Sequence, residues 1–172
     1  LGDRSEQTRR FAIPCAELSD GLLADEARAR RTFAENPEHH FAAYALGVLV
    51  TARVLGRLRG LSGLRVVICS EVPEGKGISS SAALEVATAM ALFACAGEQI
   101  EGPTLAALAQ RAENLVAGAP AGIMDQMTCA CGEAGQLLRL RCQPADIEGS
   151  VSLPPELVVF GLDSGVRHAV GQ

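Results

Sequence analysis

Glu71-Val72-Pro73-Glu74-Gly75-Lys76-Gly77-Ile78-Ser79-Ser80-Ser81-Ala82-Ala83 is the stretch on which the reading of this chain turns. A β-branched run at 64–69 precedes it and an Ala-rich segment with helical periodicity follows to about Ala96, so the order reads strand, glycine-rich loop, helix N-terminus. The first turn of a helix has N–H groups without intrahelical partners and carries the positive end of the macrodipole, so an anion placed there gains hydrogen bonds and charge stabilisation together. Gly75 and Gly77 permit close backbone approach and positive φ. Ser79, Ser80 and Ser81 add hydroxyls suited to phosphate oxygens or a magnesium ion, although Gly and Ser also cluster in turns and caps that bind nothing. Because Lys76 precedes Gly77, the Gly-x-x-x-x-Gly-Lys-Ser/Thr phosphate loop is excluded, and the lack of Gly-x-Ser-x-Gly argues against an acyl-transfer serine.

Around that stretch lie 172 residues, 48% hydrophobic and 20% charged, enough for one soluble domain with a real core. With no Trp, one Tyr and a formal net charge of −5, the chain lacks the aromatic platforms and basic surface of a nucleic-acid binder. The apolar runs at 41–52 and 86–97 are too short for a bilayer, which needs roughly 20 residues, and are expected as buried helices rather than membrane spans. Six scattered cysteines without a secretion pattern suggest free thiols in a cytoplasmic protein, with Cys129 and Cys131 as small buried packing residues. The chain starts at Leu1 and stops at Gln172 inside what reads as an ordered motif, so a partial domain is expected.

In chain order, 1–20 is polar with a short apolar stretch at 11–13 that suits a strand, and composition turns Ala/Arg-rich from Asp25. Phe41, Tyr44, Ala45, Val48, Leu49, Ala52 and Leu55 recur at three- and four-residue spacing, predicting a core-facing helix with Asn36 as N-cap, Pro37 at its first position, and His39 and His40 exposed in its first turn. After the glycine-rich loop, a helix from about Ser79 ends at Gly97. Another amphipathic helix follows Gly102-Pro103-Thr104, with Leu105, Leu108, Ala109, Ala112, Leu115 and Val116 on its apolar face and Gln110, Glu113 and Asn114 on its polar face. Gly118-Ala119-Pro120-Ala121-Gly122-Ile123-Met124-Asp125-Gln126-Met127 then sets a carboxylate among apolar neighbours, where it is either tuned for chemistry or simply complements a helix N-terminus. The segments 136–142 and 157–163 read as strands of one sheet, and Asp163-Ser164-Gly165-Val166-Arg167-His168 as a polar turn.

A phosphate loop, a metal-capable hydroxyl and later carboxylates at Glu113 and Asp125 are the parts of a phosphoryl-transfer site, which works by positioning and by neutralising charge on phosphate oxygens. The run from Pro73 through Ala83 resembles the second, phosphate-binding motif of the GHMP small-molecule kinases. Gly122-Ile123-Met124-Asp125-Gln126, with Asp163-Ser164-Gly165-Val166-Arg167-His168, is similar to the sugar-1-kinase branch. The Glu-Gly-Lys-Gly loop and Met127-Thr128-Cys129-Ala130-Cys131-Gly132-Glu133-Ala134 resemble members acting on L-arabinose more than those acting on D-galactose.

The resemblance implies an α/β (α+β) fold, a mixed or antiparallel sheet backed by helices, here as part of an N-terminal domain whose first motif and C-terminal partner domain are missing from 1–172. It implies ATP-dependent phosphorylation of a monosaccharide at the anomeric hydroxyl, or else a non-catalytic sugar and ATP sensor on the same fold. Amides of Gly75, Lys76, Gly77, Ile78, Ser79, Ser80 and Ser81 would cradle ATP phosphates, Ser81 and Glu113 would hold Mg2+, Asp125 would serve the sugar hydroxyl, and Gly122 would touch the sugar through its backbone. Lys76 either contacts phosphate or is a solvated loop lysine.

Overall fold

Asp25 starts the first helix by accepting hydrogen bonds from the backbone N–H of Ala27 at 2.9 Å and Arg28 at 3.1 Å, an N-cap that satisfies two otherwise unpaired donors. Helix α1 (Glu26–Ala34) was not foreseen, because its apolar face consists of Ala29 and Phe33 alone. The computed structural model describes residues 11–14, 21–35, 39–61 and 63–165. Among them α1 is followed by α2 (His40–Val54), α3 (Ser80–Ala96), α4 (Gly102–Ala112), a π-helical turn (Glu113–Ala117), α5 (Met124–Cys131), β1 (Gln136–Arg141) and β2 (Asp146–Ser152).

Helix α2 is central, packing against α1, α3, α4 and the π turn. The expected single apolar stripe is therefore too narrow. Val48, Leu49 and Ala52 join one core cluster with Val86, Phe93 and Leu108, while Ala42, Ala43 and Val50 join a second with Ala29, Phe33 and Val116. Leu55, expected inside, is exposed because it lies beyond the helix end. The helix begins at His40, and the proposed cap at Asn36 and Pro37 lies outside the described residues. His39 and His40 are half-buried rather than exposed: Phe11 packs edge-on to the His39 ring at 4.8 Å, and His40 Nε2 lies 3.1 Å from the Ala117 carbonyl. Phe11 and its neighbours to Pro14 form no strand.

Helices α2 and α3 contain the two apolar runs, and among the described residues no helix is long and apolar enough to cross a membrane. Gly97 ends α3 as expected. Its left-handed conformation (φ 67°) lets its own N–H and that of Glu98 return to the carbonyls of Ala94 and Phe93.

β1 and β2 pair antiparallel, with Gln136 opposite Ser152 and a bulge between Arg139 and Leu140. Alternate β1 residues are half-buried, and Leu140 packs on the cluster formed by Ala106, Ile123 and Met127. The mixed α/β character is thus met by helices and an antiparallel sheet, but two expected strands are absent. Residues 64–69 and 157–163 carry no ladder pairing among the described residues, and Val67 and Phe160 are each 81% exposed. A strand needs a neighbour, and the short connection between β1 and β2 supplies one at little loop-closure cost; the run at 64–69 has no strand nearby in sequence, while 157–163 follows β2 after an equally short connection, so loop closure does not account for its missing ladder. The five described cysteines are free, but Cys129 is exposed and Cys131 half-buried, so neither is the core packing residue that composition suggested.

Candidate active site

The loop at 71–79 leads directly into α3. Gly75 (φ 66°) and Gly77 (φ 71°) are left-handed, and a Cβ on either would meet nothing within 4 Å, so backbone conformation rather than crowding selects glycine. Ser79 adopts the same conformation at φ 60° with no side-chain cap bond, a strained state for a non-glycine residue that costs of order 1–3 kcal/mol. The first intrahelical bond runs from Ala83 N–H to Ser79 O at 3.0 Å, which leaves the amides of Ser80, Ser81 and Ala82 in the donor-rich first turn. Lys76 is ion-paired to Asp163, a partner the sequence reading did not consider, and this pair joins the loop to the segment at 157–165.

The π turn brings Glu113 to the start of α3, where the Ser81 hydroxyl lies close enough to its carboxylate to lower its pKa. Glu113 is 4% exposed, against the expected polar face. It stands four residues after Ala109 and eight after Leu105, which places it on the buried side of α4, and the widened turn then carries Leu115 outward and Ala117 inward. The loop after it is pinned at Ala121: its N–H donates to Asn114 Oδ1 at 2.7 Å, and Gln110 Nε2 donates to its carbonyl at 3.0 Å. This fixes the entry into α5, whose first turn holds half-buried Asp125 and fully buried Gln126. Gly122 lies exposed just before it.

Burial raises the pKa of Glu113, hydrogen bonds from Ser81 and Gln126 oppose the rise, and the charge of Asp125 adds to it. Ser81, Glu113 and Asp125, far apart in sequence, are thereby within one electrostatic neighbourhood. Two further residues belong to it that sequence reading missed. Gln126 Nε2 donates to Glu113 Oε2 at 2.5 Å and to Glu85 Oε2 at 3.2 Å. Glu85 is completely buried, and burial, then the charge of Glu113, push its carboxyl up to about 9 against the hydrogen bond from Gln126. The available signals were Glu85 standing one helical turn after Ser81, and Gln126 adjoining Asp125. Tyr44 also faces this group, its hydroxyl pKa raised by burial and by Glu113 and Glu85.

Ser81 and Glu113 present two hard oxygen donors beside the loop, a set that suits magnesium, which takes few protein ligands and completes its shell with water and phosphate. No group of three or more His, Cys, Asp or Glu side chains suited to a metal occurs among the described residues.

Residues 43–133, just over half the chain, match the family model for the GHMP kinases N terminal domain. The chain belongs to the GHMP kinase family. Among similar proteins is the L-arabinokinase of Arabidopsis thaliana, 44% identical over 171 residues, covering 97% of this chain and 16% of that protein. A galactokinase of Streptomyces coelicolor is 47% identical over 193 residues, covering 98% of this chain and 49% of that protein. A galactokinase of a Roseiflexus species is 42% identical over 127 residues, covering 74% and 32% respectively. This GHMP kinase chain therefore spans half or less of the length of these relatives, and both the loop and the Ser81, Glu113 and Asp125 group fall inside the family match.

Proposed function

We propose that this GHMP kinase transfers the γ-phosphoryl group of ATP to the anomeric hydroxyl of a monosaccharide, giving a sugar 1-phosphate and ADP, with L-arabinose preferred over D-galactose. The observation that carries the reading is the proximity of Ser81, Glu113 and Asp125 at the N-terminus of α3, where the Ser81 hydroxyl and the Asp125 charge both act on Glu113. Amides from Gly75 to Ser81 donate to phosphate oxygens, and the α3 dipole favours their charge. Ser81 and Glu113 hold Mg2+, whose chemistry is neutralisation of phosphate charge. Asp125 accepts or orients the proton of the sugar hydroxyl as its oxygen bonds to phosphorus and the bond to the β-phosphate bridging oxygen breaks. Gly122, exposed and lacking a side chain, offers its backbone to the sugar. The preference for L-arabinose rests on the Lys76 form of the loop, since the identities to the L-arabinokinase (44%) and to the Streptomyces coelicolor galactokinase (47%) do not separate the two sugars.

The test is product analysis with the intact protein, ATP, Mg2+ and a panel of free sugars, resolving the phosphorylated position. A 1-phosphate from L-arabinose and little from D-galactose is the expected result, and the reverse order would move the substrate but keep the chemistry. Asp125→Asn should lower turnover by about 10²- to 10⁴-fold while ATP still binds. Near-normal turnover in that variant would remove Asp125 from its role.

A further inference from the structure

The Gln126 amide has two hydrogens, and both are committed to carboxylates, one on Glu113 and one on Glu85. Its orientation follows from charge, because the flipped amide would set Oε1 against the Glu113 carboxylate oxygen that Nε2 now meets at 2.5 Å. Three elements meet here: Glu85 comes from α3, Glu113 from the π turn and Gln126 from α5. We infer that Glu85 and Gln126 form a positioning pair that fixes the Glu113 carboxylate where it meets Ser81, and so sets the affinity of the site for Mg2+.

Two orphan atoms say how the pair closes. Glu85 Oε1 and Gln126 Oε1 are inaccessible to solvent and accept no hydrogen bond among the described residues, a costly state for buried polar groups. A protonated Glu85 resolves both at once: Oε1–H donates to Gln126 Oε1, while Gln126 Nε2–H donates to Glu85 Oε2. The second amide hydrogen is then held in place for Glu113. The upward pull of burial on the Glu85 carboxyl acts in the same direction. An acid and amide joined this way leave Gln126 a single orientation, and through it Glu113 a single rotamer. Losing a group that orients a metal ligand typically lowers metal affinity by about 10- to 100-fold.

The inference rests on the reading of Glu113 as a metal ligand, and the experiment separates the two. In the intact protein, ATP binding is titrated by calorimetry at rising Mg2+, with thermal unfolding followed in parallel. Glu85→Leu and Gln126→Met should raise the half-saturating Mg2+ concentration by about tenfold or more. Glu85→Gln should stay within about twofold of the wild type, since a glutamine offers a donor and an acceptor in the same places. Lower melting temperatures in the two apolar variants with an unchanged Mg2+ requirement would mean a purely structural pair and overturn the inference, as would Glu85→Gln behaving like Glu85→Leu. If Glu113→Gln leaves the Mg2+ requirement unchanged, the metal-ligand reading falls and this inference with it. If Glu113→Gln raises it and Gln126→Met does not, the positioning role alone falls. Should Gln126→Met not fold, Gln126→Asn, which withdraws the amide by one methylene, takes its place.

Discussion

The Glu98 carboxylate holds the turn after α2. It accepts from Arg57 Nε at 2.8 Å and from the Leu58 backbone N–H at 2.9 Å, and Leu58 is a fully buried residue at a left-handed φ of 54°. The hydrogen bond from Arg57 leads in holding Glu98 below its ordinary value of 4.5, so the folded state binds that proton less readily than the unfolded chain. The associated stability is present above 4.5 and is lost as pH falls through the lowered folded-state value. Glu98→Gln should therefore flatten the acid limb of the stability profile, read from urea midpoints collected from neutral pH downward. At the level of single residues, legibility followed chemistry. Gly75, Gly77, Ser81 and Asp125 stood in runs whose residue types have a ligand-binding use, whereas Glu85 stood in an Ala-rich helix, where a carboxylate ordinarily faces water. Only the crossing of α3 and α5 shows that it meets an amide.

Among the elements, α2, α3 and α4 were legible because each repeats apolar residues at helical spacing. Strand β1 was legible from its alternation, but β2, with every residue exposed, carries no burial pattern to read. The π turn was not legible either, since its extra residue per turn is a packing outcome rather than a propensity. Packing at this turn is close. A Cβ built on Gly47 of α2 would come within 3.1 Å of Val116 Cβ, so the two elements meet nearly backbone to side chain. Gly47→Leu should destabilise the fold by about 1–3 kcal/mol through overpacking, measured by urea denaturation. Adding Val116→Ala should recover part of that loss by vacating the space that the larger side chain on α2 must enter.

At the scale of the molecule, the helices bury apolar faces in three clusters, while two β-branched runs stay exposed. Val66, Val67 and Ile68 are exposed on one segment, and Val158, Val159 and Phe160 on another. Unpaired apolar runs of this kind present backbone donors and acceptors to any other chain, which is the usual route to edge-to-edge association. The 172-residue chain by itself should scatter light in a concentration-dependent way, and Val67→Lys with Phe160→Lys should reduce the scattering severalfold. The same runs explain why expected strands failed to form: their sequence asks for a sheet, and the ladder that would answer it is not among the described residues. One of these segments ends at Asp163, which holds Lys76. Lys76 is the sole lysine of the chain, so acylation of lysine has a single side-chain address here. Such a reagent would neutralise the cation and break its ion pair with Asp163, making the loop a natural point at which covalent labelling could report on, or interrupt, whatever occupies it.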